Sequence, residues 1–232
     1  MKRTIILIPA YNPLSTFLQF VKKLLPLADI LIVNDGSDEK HRPLFQQLQQ
    51  LEGCSVVSNE INLGKGRAIK NGLQHILNRY PVGDGVLTVG AHGQHDIEDI
   101  QLLLQQRHVF SDGIILGIRD LDAAYIPAFQ QVQNKAAQLL FELLFRKKLL
   151  DTQTGLRYLP WKELSWLQHV QGETFNYDTN MLVQAIRRHV PIYEVPIGRA
   201  KIRSNSIMRY DEIIDTRTIA AQMWKSFIKN PQ

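Results

Sequence analysis

A short polar loop at residues 90–95, together with Asp96 directly after it, holds the side chains in this sequence that are best suited to chemistry. Within five residues it provides four groups that can bind a metal, a phosphate or a sugar: His92, Gln94, His95 and Asp96. An apolar run at 86–89 precedes the loop and predicts a buried strand, while Asp96 stands at the N-cap position of a predicted helix. In open α/β sheets, ligands bind at the carboxyl ends of strands, so the loop is a candidate binding site. An ordinary turn from strand to helix would have the same composition.

The composition is that of a globular protein with a moderate positive charge. The chain has 232 residues, of which 44% are hydrophobic and 21% charged, enough for one large domain or for two lobes that share a core. Its formal net charge of +5 favours anionic partners such as nucleic acid, nucleotide phosphates or an acidic membrane surface. Lysines dispersed over a solvated surface would give the same net charge. We expect no nucleic-acid partner, because aromatic platforms and basic runs are absent.

The cysteine count and the apolar runs limit the compartment. Cys54 is the only cysteine, which excludes an internal disulfide and a cysteine-rich metal site and fits a reducing cytoplasm. The apolar segment within residues 1–9 is too short for a signal peptide, and no run approaches the ~18–20 apolar residues of a membrane span. We therefore expect a cytoplasmic protein whose membrane contact, if it has one, is peripheral and on the inner face.

The first half of the chain alternates predicted strands with predicted helices. Near-continuous apolar strands are predicted at residues 4–8, 29–33, 54–58, 86–89 and 113–118. Continuous apolar character is typical of strands that are covered on both faces in a parallel sheet. Between the strands, apolar residues recur at helical spacing, as at Phe17, Phe20, Val21 and Leu24. The sequence therefore predicts an α/β fold with a mostly parallel sheet flanked by helices.

The second half of the chain is expected to add a smaller lobe. Helices are predicted at 127–150 and at 161–167, and a third helix is predicted to begin within 175–182. A strand is predicted at 192–197. From residue 211 the tail is amphipathic, with Ile214, Ile219, Met223, Trp224, Phe227 and Ile228 beside Lys225 and Lys229. This tail either docks on the core or binds a membrane interface.

Two common phosphate-binding motifs are absent. No G-x-G-x-x-G follows the first strand, where the sequence has P-A-Y-N-P instead. The G-K-G-R segment at 64–67 lacks the leading glycine of a P-loop. The sequence therefore carries neither the dinucleotide-binding fingerprint nor a P-loop.

Six short motifs nevertheless occur in an order that resembles family 2 glycosyltransferases. They are IPAYNP at 8–13, VNDGSD at 33–38, NLGKGRAIKNG at 62–72, GQHDIEDI at 93–100, DTQTGLRY at 151–158, and YDTNML followed by YEVPI at 177–197. The most similar subgroup is the dolichol-phosphate mannosyltransferase or polyprenyl-phosphate sugar transferase type. The resemblance implies a GT-A fold, a nucleotide-diphosphate sugar as donor, and transfer with inversion at the sugar carbon. It also implies one GT-A domain over 1–232, with a nucleotide-sugar-binding half at 1–120 and an acceptor-side half at 121–232.

The resemblance assigns donor-binding roles to residues at the strand ends. It implies that Asp35 accepts a hydrogen bond from a ribose hydroxyl or a base N–H, and that Lys65 and Arg119 meet the pyrophosphate. Arg157 is a further candidate cation. The other implied nucleotide-sugar-binding residues are Pro9, Ala10, Tyr11 and Asn12, which form a wall under the base, and Gly90, Ala91 and His92. The residues alone leave two alternatives open, namely a turn role for Asp35 and solvated surface charge for each cation.

The sequence departs from the family mainly at the metal site. Gly90-Ala91-His92 stands where the family carries Asp-x-Asp, so both carboxylates that would bind Mg²⁺ or Mn²⁺ are missing. His92 and Gln94 remain as weak ligands, and an imidazole with an amide is a poor cage for a hard cation. Basic side chains could replace the ion, or a metal could bind through the donor phosphates with help from His92 and Gln94. The third outcome is a degenerate protein that binds a nucleotide sugar or assists an active transferase.

The acceptor decides whether a general base is needed. A polyprenyl phosphate is already ionised and can attack directly, whereas the hydroxyl of a glycan or lipid must lose a proton to a carboxylate. The candidate bases are Asp151 and Asp178, by family position, with Glu173 as a third; helix capping is the alternative role for Asp151 and Asp178. The basic segment 199–209 either folds over the donor, meets a lipid phosphate, or forms a surface loop.

Overall fold

The structure is a computed structural model that describes residues 4–91, 95–120 and 128–198. For residues 128–130 and 133 it describes the backbone alone. Several predictions lie outside the described residues: the weak metal ligands His92 and Gln94, the basic segment 199–209 and the amphipathic tail. They stay predictions.

One sheet organises the described part of the chain. Its seven strands are β1 (Thr4–Ala10), β2 (Asp29–Asp35), β3 (Cys54–Asn59), β4 (Gly85–Thr88), β5 (Ile114–Ile118), β6 (Arg157–Pro160) and β7 (Ile192–Pro196). They lie in the order β3-β2-β1-β4-β6-β5-β7. All neighbouring pairs are parallel except those of β6, which is antiparallel to β4 and β5. The predicted α/β fold with a mostly parallel sheet is confirmed.

Helices cover both faces of the sheet. They are α1 (Phe17–Leu24), α2 (Arg42–Gln49), α3 (Lys65–Arg79), α4 (Ile97–Gln106), α5 (Ala128–Phe145), α6 (Leu164–Leu167) and α7 (Asn176–Arg187), with single 3₁₀ turns at Glu39–His41 and Trp161–Glu163. On β1, Ile5 and Leu7 pack with α3, α6 and α7, while Ile6 and Ile8 pack with α1, α2 and α4. Alternate residues of a strand point to opposite faces, so both sets must be apolar. This explains the continuous apolar runs in the sequence.

Two elements differ from the prediction. The long helix predicted over 127–150 ends at Phe145, because the next residue, Arg146, has a left-handed backbone with φ of 51°. Strand β6 was not predicted, since it has only four residues and begins with an arginine. It places part of the second half of the chain between β4 and β5. The proposed division into two halves near residue 120 stays a prediction.

None of the helices in the described residues is both long enough and apolar enough to cross a membrane.

Candidate active site

The predicted donor-binding residues gather at the edge of the sheet where β1, β2 and β4 end. Asp35 is the last residue of β2, and Lys65 is the first residue of α3. Arg119 directly follows β5, and the loop that contains Asp151 reaches the same edge because β6 runs in the opposite direction. Parallel strands direct their following loops to one edge, so distant motifs meet there.

Asp35 holds the loop that leads into α3. Its Oδ1 accepts hydrogen bonds from the Leu63 backbone N–H at 3.0 Å and from the Asn59 side chain at 2.8 Å, and its Oδ2 accepts one from the Gly64 N–H at 2.8 Å. The side chain is buried. In this structure Asp35 therefore orders the polar loop, and its contact with a ribose or a base stays a prediction.

Gly36 is required by the same loop. Its φ is +65°, and a Cβ at this position would lie 2.1 Å from the carbonyl carbon of Ile61. A side chain is excluded both by the backbone conformation and by the loop that crosses over it. The glycine of the VNDGSD motif thus allows the segment after β3 to reach Asp35.

The loop after β1, proposed as the wall under the base, is tied to the loop after β2. The Asn12 N–H donates to Ser37 Oγ at 2.9 Å, its side-chain amide donates to Asp38 Oδ2 at 3.1 Å, and its Oδ1 accepts from the Asp38 N–H at 2.8 Å. Asn12 has a φ of 46°, a conformation that asparagine tolerates. Ala10 packs into the core below the loop, whereas Pro9, Tyr11 and Asn12 are half-buried. The base-binding role of these residues stays a prediction.

Lys65 is held by Asp178. Its Nζ lies 2.5 Å from Asp178 Oδ2, and 22% of the lysine side chain is exposed while the aspartate is buried. The same ammonium is 5.5 Å from the centre of the Phe175 ring. Helix α7 begins at Asn176, so Asp178 lies in the first turn and is not the N-cap. The carboxylate fixes one orientation of a cation that still reaches solvent.

Arg119 and Asp151 form a second ion pair of the same kind. The guanidinium donates to both carboxylate oxygens, from Nε to Oδ2 at 2.7 Å and from NH2 to Oδ1 at 2.9 Å. The backbone N–H groups of Arg119 and Gln153 also donate to this carboxylate. Asp151 is 0% exposed, whereas 27% of the Arg119 side chain is exposed. This geometry makes Asp151 an anchor for Arg119 and gives no support to its role as a general base, which stays a prediction.

Arg157 corrects the sequence interpretation. It was expected as a further cation for the pyrophosphate, but it is 1% exposed and its guanidinium lies beneath the site. Its three nitrogens donate to the carbonyl oxygens of Thr152, Thr154 and Asp178, each at 2.8 Å. The prediction was wrong because the guanidinium is hydrogen-bonded to backbone carbonyl oxygens. Such acceptors are not revealed by any pattern of side chains in the sequence. Arg157 joins the loop before β6 to α7.

Glu173 also has a different role from the one expected. Its carboxylate contacts Arg67 Nε at 2.5 Å and Lys70 Nζ at 2.8 Å, and its carbonyl oxygen accepts from the Arg67 N–H at 3.0 Å. Partial burial opposes ionisation, but the hydrogen bonds from Lys70 and Arg67 hold the pKa of Glu173 below its ordinary value. A carboxylate bound in this way is a weaker base, and it fastens the loop before α7 to α3.

Three further acidic or imidazole side chains lie near the site: His95, which the sequence placed in the polar loop without a donor-binding role, and Asp99 and Glu194, which were missed. His95 is 4% exposed, and its ring nitrogens have no hydrogen-bond partner among the described residues. Asp99 on α4 accepts a hydrogen bond from the Gly198 N–H at 2.8 Å, at the end of the described chain. Glu194 on β7 accepts one from the Leu150 N–H at 2.6 Å, and burial raises its pKa. Only His95 carried a signal in the sequence, its place in the polar loop after β4.

The described residues do not fit a metal cage. Gly90 and Ala91 have no ligand atom in their side chains, and the nearby carboxylates of Asp151 and Asp178 are bound by cations. Within residues 4–91, 95–120 and 128–198, no group of three or more histidine, cysteine, aspartate or glutamate side chains could hold a metal ion. Hard divalent cations prefer several carboxylate oxygens.

Comparison with known structures identifies the fold. Mannosyl-3-phosphoglycerate synthase from Rubrobacter xylanophilus matches with a TM-score of 0.73 and 15% identity, over 100% of this chain and 76% of that chain. GalNAc-T7, crystallised with UDP, GalNAc and Mn²⁺, matches with a TM-score of 0.54 and 15% identity, over 86% of this chain and 44% of that chain. S. aureus TarS matches with a TM-score of 0.54 and 12% identity, over 85% and 36% of the respective chains. At these identities the matches establish the fold, a GT-A, Rossmann-like α/β arrangement.

A comparison of the sequence with family models extends this to the family. The model for glycosyl transferase family 2 matches residues 5–157, from β1 to the first residue of β6. The matched segment covers more than half of the chain and includes Asp35, Lys65, Arg119 and Asp151. The chain therefore belongs to glycosyl transferase family 2.

Proposed function

We propose that this protein transfers a sugar, with inversion, from a nucleotide-diphosphate sugar to a polyprenyl phosphate. It would thus act like the dolichol-phosphate mannosyltransferase or polyprenyl-phosphate sugar transferase type. The observation that carries the proposal is the pair of cations at the sheet edge, Lys65 and Arg119, each held by a buried carboxylate in a chain of this family.

The two cations are suited to the diphosphate of the donor. Both side chains are partly exposed, so a ligand can reach them, while Asp178 and Asp151 restrict their motion. Cations fixed in advance stabilise developing negative charge without reorganising during the reaction. In our proposal Lys65 and Arg119 neutralise the departing diphosphate, while the base lies against Pro9, Tyr11 and Asn12 near Asp35, with Ala10 beneath. In the same proposal Gly90, Ala91 and His92 contact the donor between its base and its diphosphate.

The ion pairs that the candidate bases form favour a phosphate acceptor. Asp151 and Asp178 are bound by Arg119 and Lys65, and Glu173 is bound by Arg67 and Lys70. A general base must reach and accept the proton of the acceptor, which these contacts oppose. An acceptor phosphate oxygen is already ionised near pH 7 and needs no such base. The catalytic assignment of Asp151 and Asp178 is retained only for a sugar hydroxyl as acceptor.

One surface supports a lipid acceptor. Three apolar side chains recur at helical spacing on α5 and are largely exposed: Val132, Leu139 and Leu143. Three exposed cations follow the helix: Arg146, Lys147 and Lys148. Apolar side chains beside basic ones bind to the interface of an anionic membrane. The proposal therefore places the protein in the cytoplasm, peripheral on the inner face of a membrane.

The experiment has a binding step and a transfer step. Calorimetry with UDP, GDP and their sugars, with and without Mn²⁺, is expected to give binding of one nucleotide that persists in EDTA. The bound sugar nucleotide is then incubated with a polyprenyl phosphate in detergent, and a glycosylated lipid is expected. An absolute requirement for Mn²⁺ would show that the donor phosphates bring a metal and that the cations do not suffice. A lack of nucleotide binding would contradict the proposal altogether.

A second candidate is a degenerate protein that binds a nucleotide sugar or assists an active transferase. It is favoured by the absence of both Asp-x-Asp carboxylates at Gly90 and His92. Tight nucleotide binding without transfer to any acceptor over hours would support this candidate. Replacement of Gly90→Asp together with His92→Asp is then expected to create metal-dependent transfer.

A further inference from the structure

His95 is buried at the sheet edge without a hydrogen-bond partner in the described part of the chain. It lies between β4 and α4, is 4% exposed, and neither Nδ1 nor Nε2 is bonded to a described residue. Buried polar side chains almost always have partners in folded proteins, because leaving them unpaired is unfavourable. A buried imidazole with two unpaired nitrogens is therefore suited to a ligand.

Gly155 shows where that ligand would bind. A Cβ placed on Gly155 would lie 3.7 Å from Lys65 Nζ and 3.9 Å from His95 Nε2, so the ammonium and the imidazole both border the space beside this glycine. The position of Gly155 is fixed, because its carbonyl oxygen accepts a hydrogen bond from Thr88 Oγ1 at 3.0 Å. Asp178 uses one of the three N–H groups of Lys65, so the ammonium retains the capacity for further bonds.

The chemistry of this space favours an anionic oxygen. It is bordered by an ammonium and by an imidazole that can donate one hydrogen bond. The nearby carboxylates of Asp178 and Asp151 are already bound by Lys65 and Arg119. Hydrogen bonds to an ionised oxygen are about twice as strong as those between neutral groups. A phosphate oxygen meets these requirements.

We propose that His95 donates a hydrogen bond to a diphosphate oxygen of the donor, in the space that Gly155 leaves open beside Lys65. This inference rests on the proposed function and names a further residue that binds the leaving group. His95 and Lys65 then bind the diphosphate directly at the edge where the chain lacks the family's carboxylates. Gly155 has the role of leaving room for the oxygen.

The test measures the binding of three probes in EDTA: inorganic pyrophosphate, the nucleoside diphosphates UDP and GDP, and the corresponding nucleosides. His95→Ala is expected to weaken pyrophosphate and diphosphate binding at least about tenfold, the usual effect of losing a hydrogen bond to a charged group. Gly155→Ala is expected to weaken it to a similar extent, because the added Cβ occupies the space of the oxygen. Nucleoside binding is expected to stay unchanged. His95→Gln places an amide N–H near the position of Nε2 and is expected to restore most of the affinity.

The variants are chosen so that loss of folding does not imitate loss of binding. The contacts of a Cβ at Gly155 are of ordinary length, so Gly155→Ala is expected to keep the native fold. His75→Ala, on α3 but away from the strand ends that carry the site, is the matched histidine control and is expected to bind all probes like the unmodified protein. Thermal unfolding of each variant checks its fold.

The outcomes separate this inference from the proposed function. If diphosphates bind but His95→Ala and Gly155→Ala retain full affinity for pyrophosphate, the His95 assignment is overturned while donor binding stands. If pyrophosphate binds in a His95-dependent way but no nucleotide binds, the assignment stands and the proposed function is overturned. If the unmodified protein binds neither pyrophosphate nor nucleotide, both are overturned.

Discussion

The ends of β2 and β4 lie at the same edge of the sheet, but the buried polar side chains found there, Asp35 and His95, are hydrogen-bonded to opposite degrees. At the end of β2, both oxygens of the buried Asp35 accept hydrogen bonds from residues 59–64. After β4, the buried His95 has no partner among the described residues. A fully paired group stabilises the fold, whereas an unpaired one weakens it and is retained where a ligand needs it. We infer that the β2 loop is scaffold and that the β4 loop is binding surface.

The largest expected effect concerns the scaffold loop at Gly36. Gly36→Ala is expected to lower the free energy of unfolding by about 4 kcal/mol, because the added Cβ would collide with the backbone of Ile61. Gly53→Ala is the matched control, since Gly53 also has a positive φ but its Cβ would lie 3.4 Å from a leucine side chain. That variant is expected to cost about 1 kcal/mol. Urea denaturation measures both, and equal losses would show that the crossing loop is not rigid.

Removal of the carboxylate from the same loop is expected to have the next largest effect. Asp35→Ala removes the acceptor of the Leu63 N–H and of the Asn59 side chain, and leaves the Gly64 N–H with Asn62 Oδ1 alone, so it is expected to cost about 3 kcal/mol. Asp38→Ala is the control, because Asp38 is an exposed carboxylate in the same loop and its removal is expected to cost less than about 1 kcal/mol. A stable Asp35→Ala protein that no longer binds nucleotide would reverse the comparison and assign Asp35 to the ligand.

Replacement of His95, in the loop after β4, is expected to have the opposite effect on stability from replacement of Asp35. His95→Leu replaces an unpaired buried imidazole with an apolar side chain, so the free energy of unfolding is expected to stay the same or rise by about 1 kcal/mol. Diphosphate binding is expected to fall in the same variant. Urea denaturation without ligand is the measurement. A loss of stability as large as that of Asp35→Ala would make His95 part of the scaffold and remove the difference between the loops.

The smallest expected effect is at Glu173, whose contacts are largely at the surface. Because the folded-state pKa of Glu173 lies below the unfolded value, its carboxylate stabilises the fold above about pH 5 and this contribution is lost as the pH falls through the folded-state pKa. The difference in unfolding free energy between the unmodified protein and Glu173→Gln is expected to stay under about 1 kcal/mol at pH 7 and to vanish once the pH has fallen well below the folded-state pKa. Glu142→Gln on α5 controls for the loss of an exposed negative charge. A difference that grows at low pH would contradict the assigned contacts.

The sequence predicted the buried strands better than the pairing between loops. Strands β1 to β5 were found because both faces are covered, which makes their sequences continuously apolar. β6 was missed, since it is short and its Tyr158 and Arg157 are polar residues buried through bonds to backbone carbonyls. Such bonds leave no mark in a hydropathy pattern.

The composition of the site was predicted in the same uneven way. Lys65, Arg119, Asp151 and Asp178 were expected at one edge, but which carboxylate holds which cation was not foreseen. Lys65 and Asp178 are 113 positions apart, so their contact depends on how α3 and α7 pack. The ring nitrogens of His95 are likewise unpaired because no polar group of the described residues packs against them. A pattern of residues in the sequence does not predict such a missing contact.

The antiparallel strand β6 has a consequence for how the protein folds. It pairs with β4 along its whole length, from Gly85 opposite Pro160 to Thr88 opposite Arg157, so the centre of the sheet closes only when a much later part of the chain arrives. Contacts between such distant segments slow folding, and an unpaired strand edge promotes aggregation. A polypeptide ending at residue 120 would leave β4 with a bare edge. Such a fragment is expected to associate with itself instead of surviving as an independent unit.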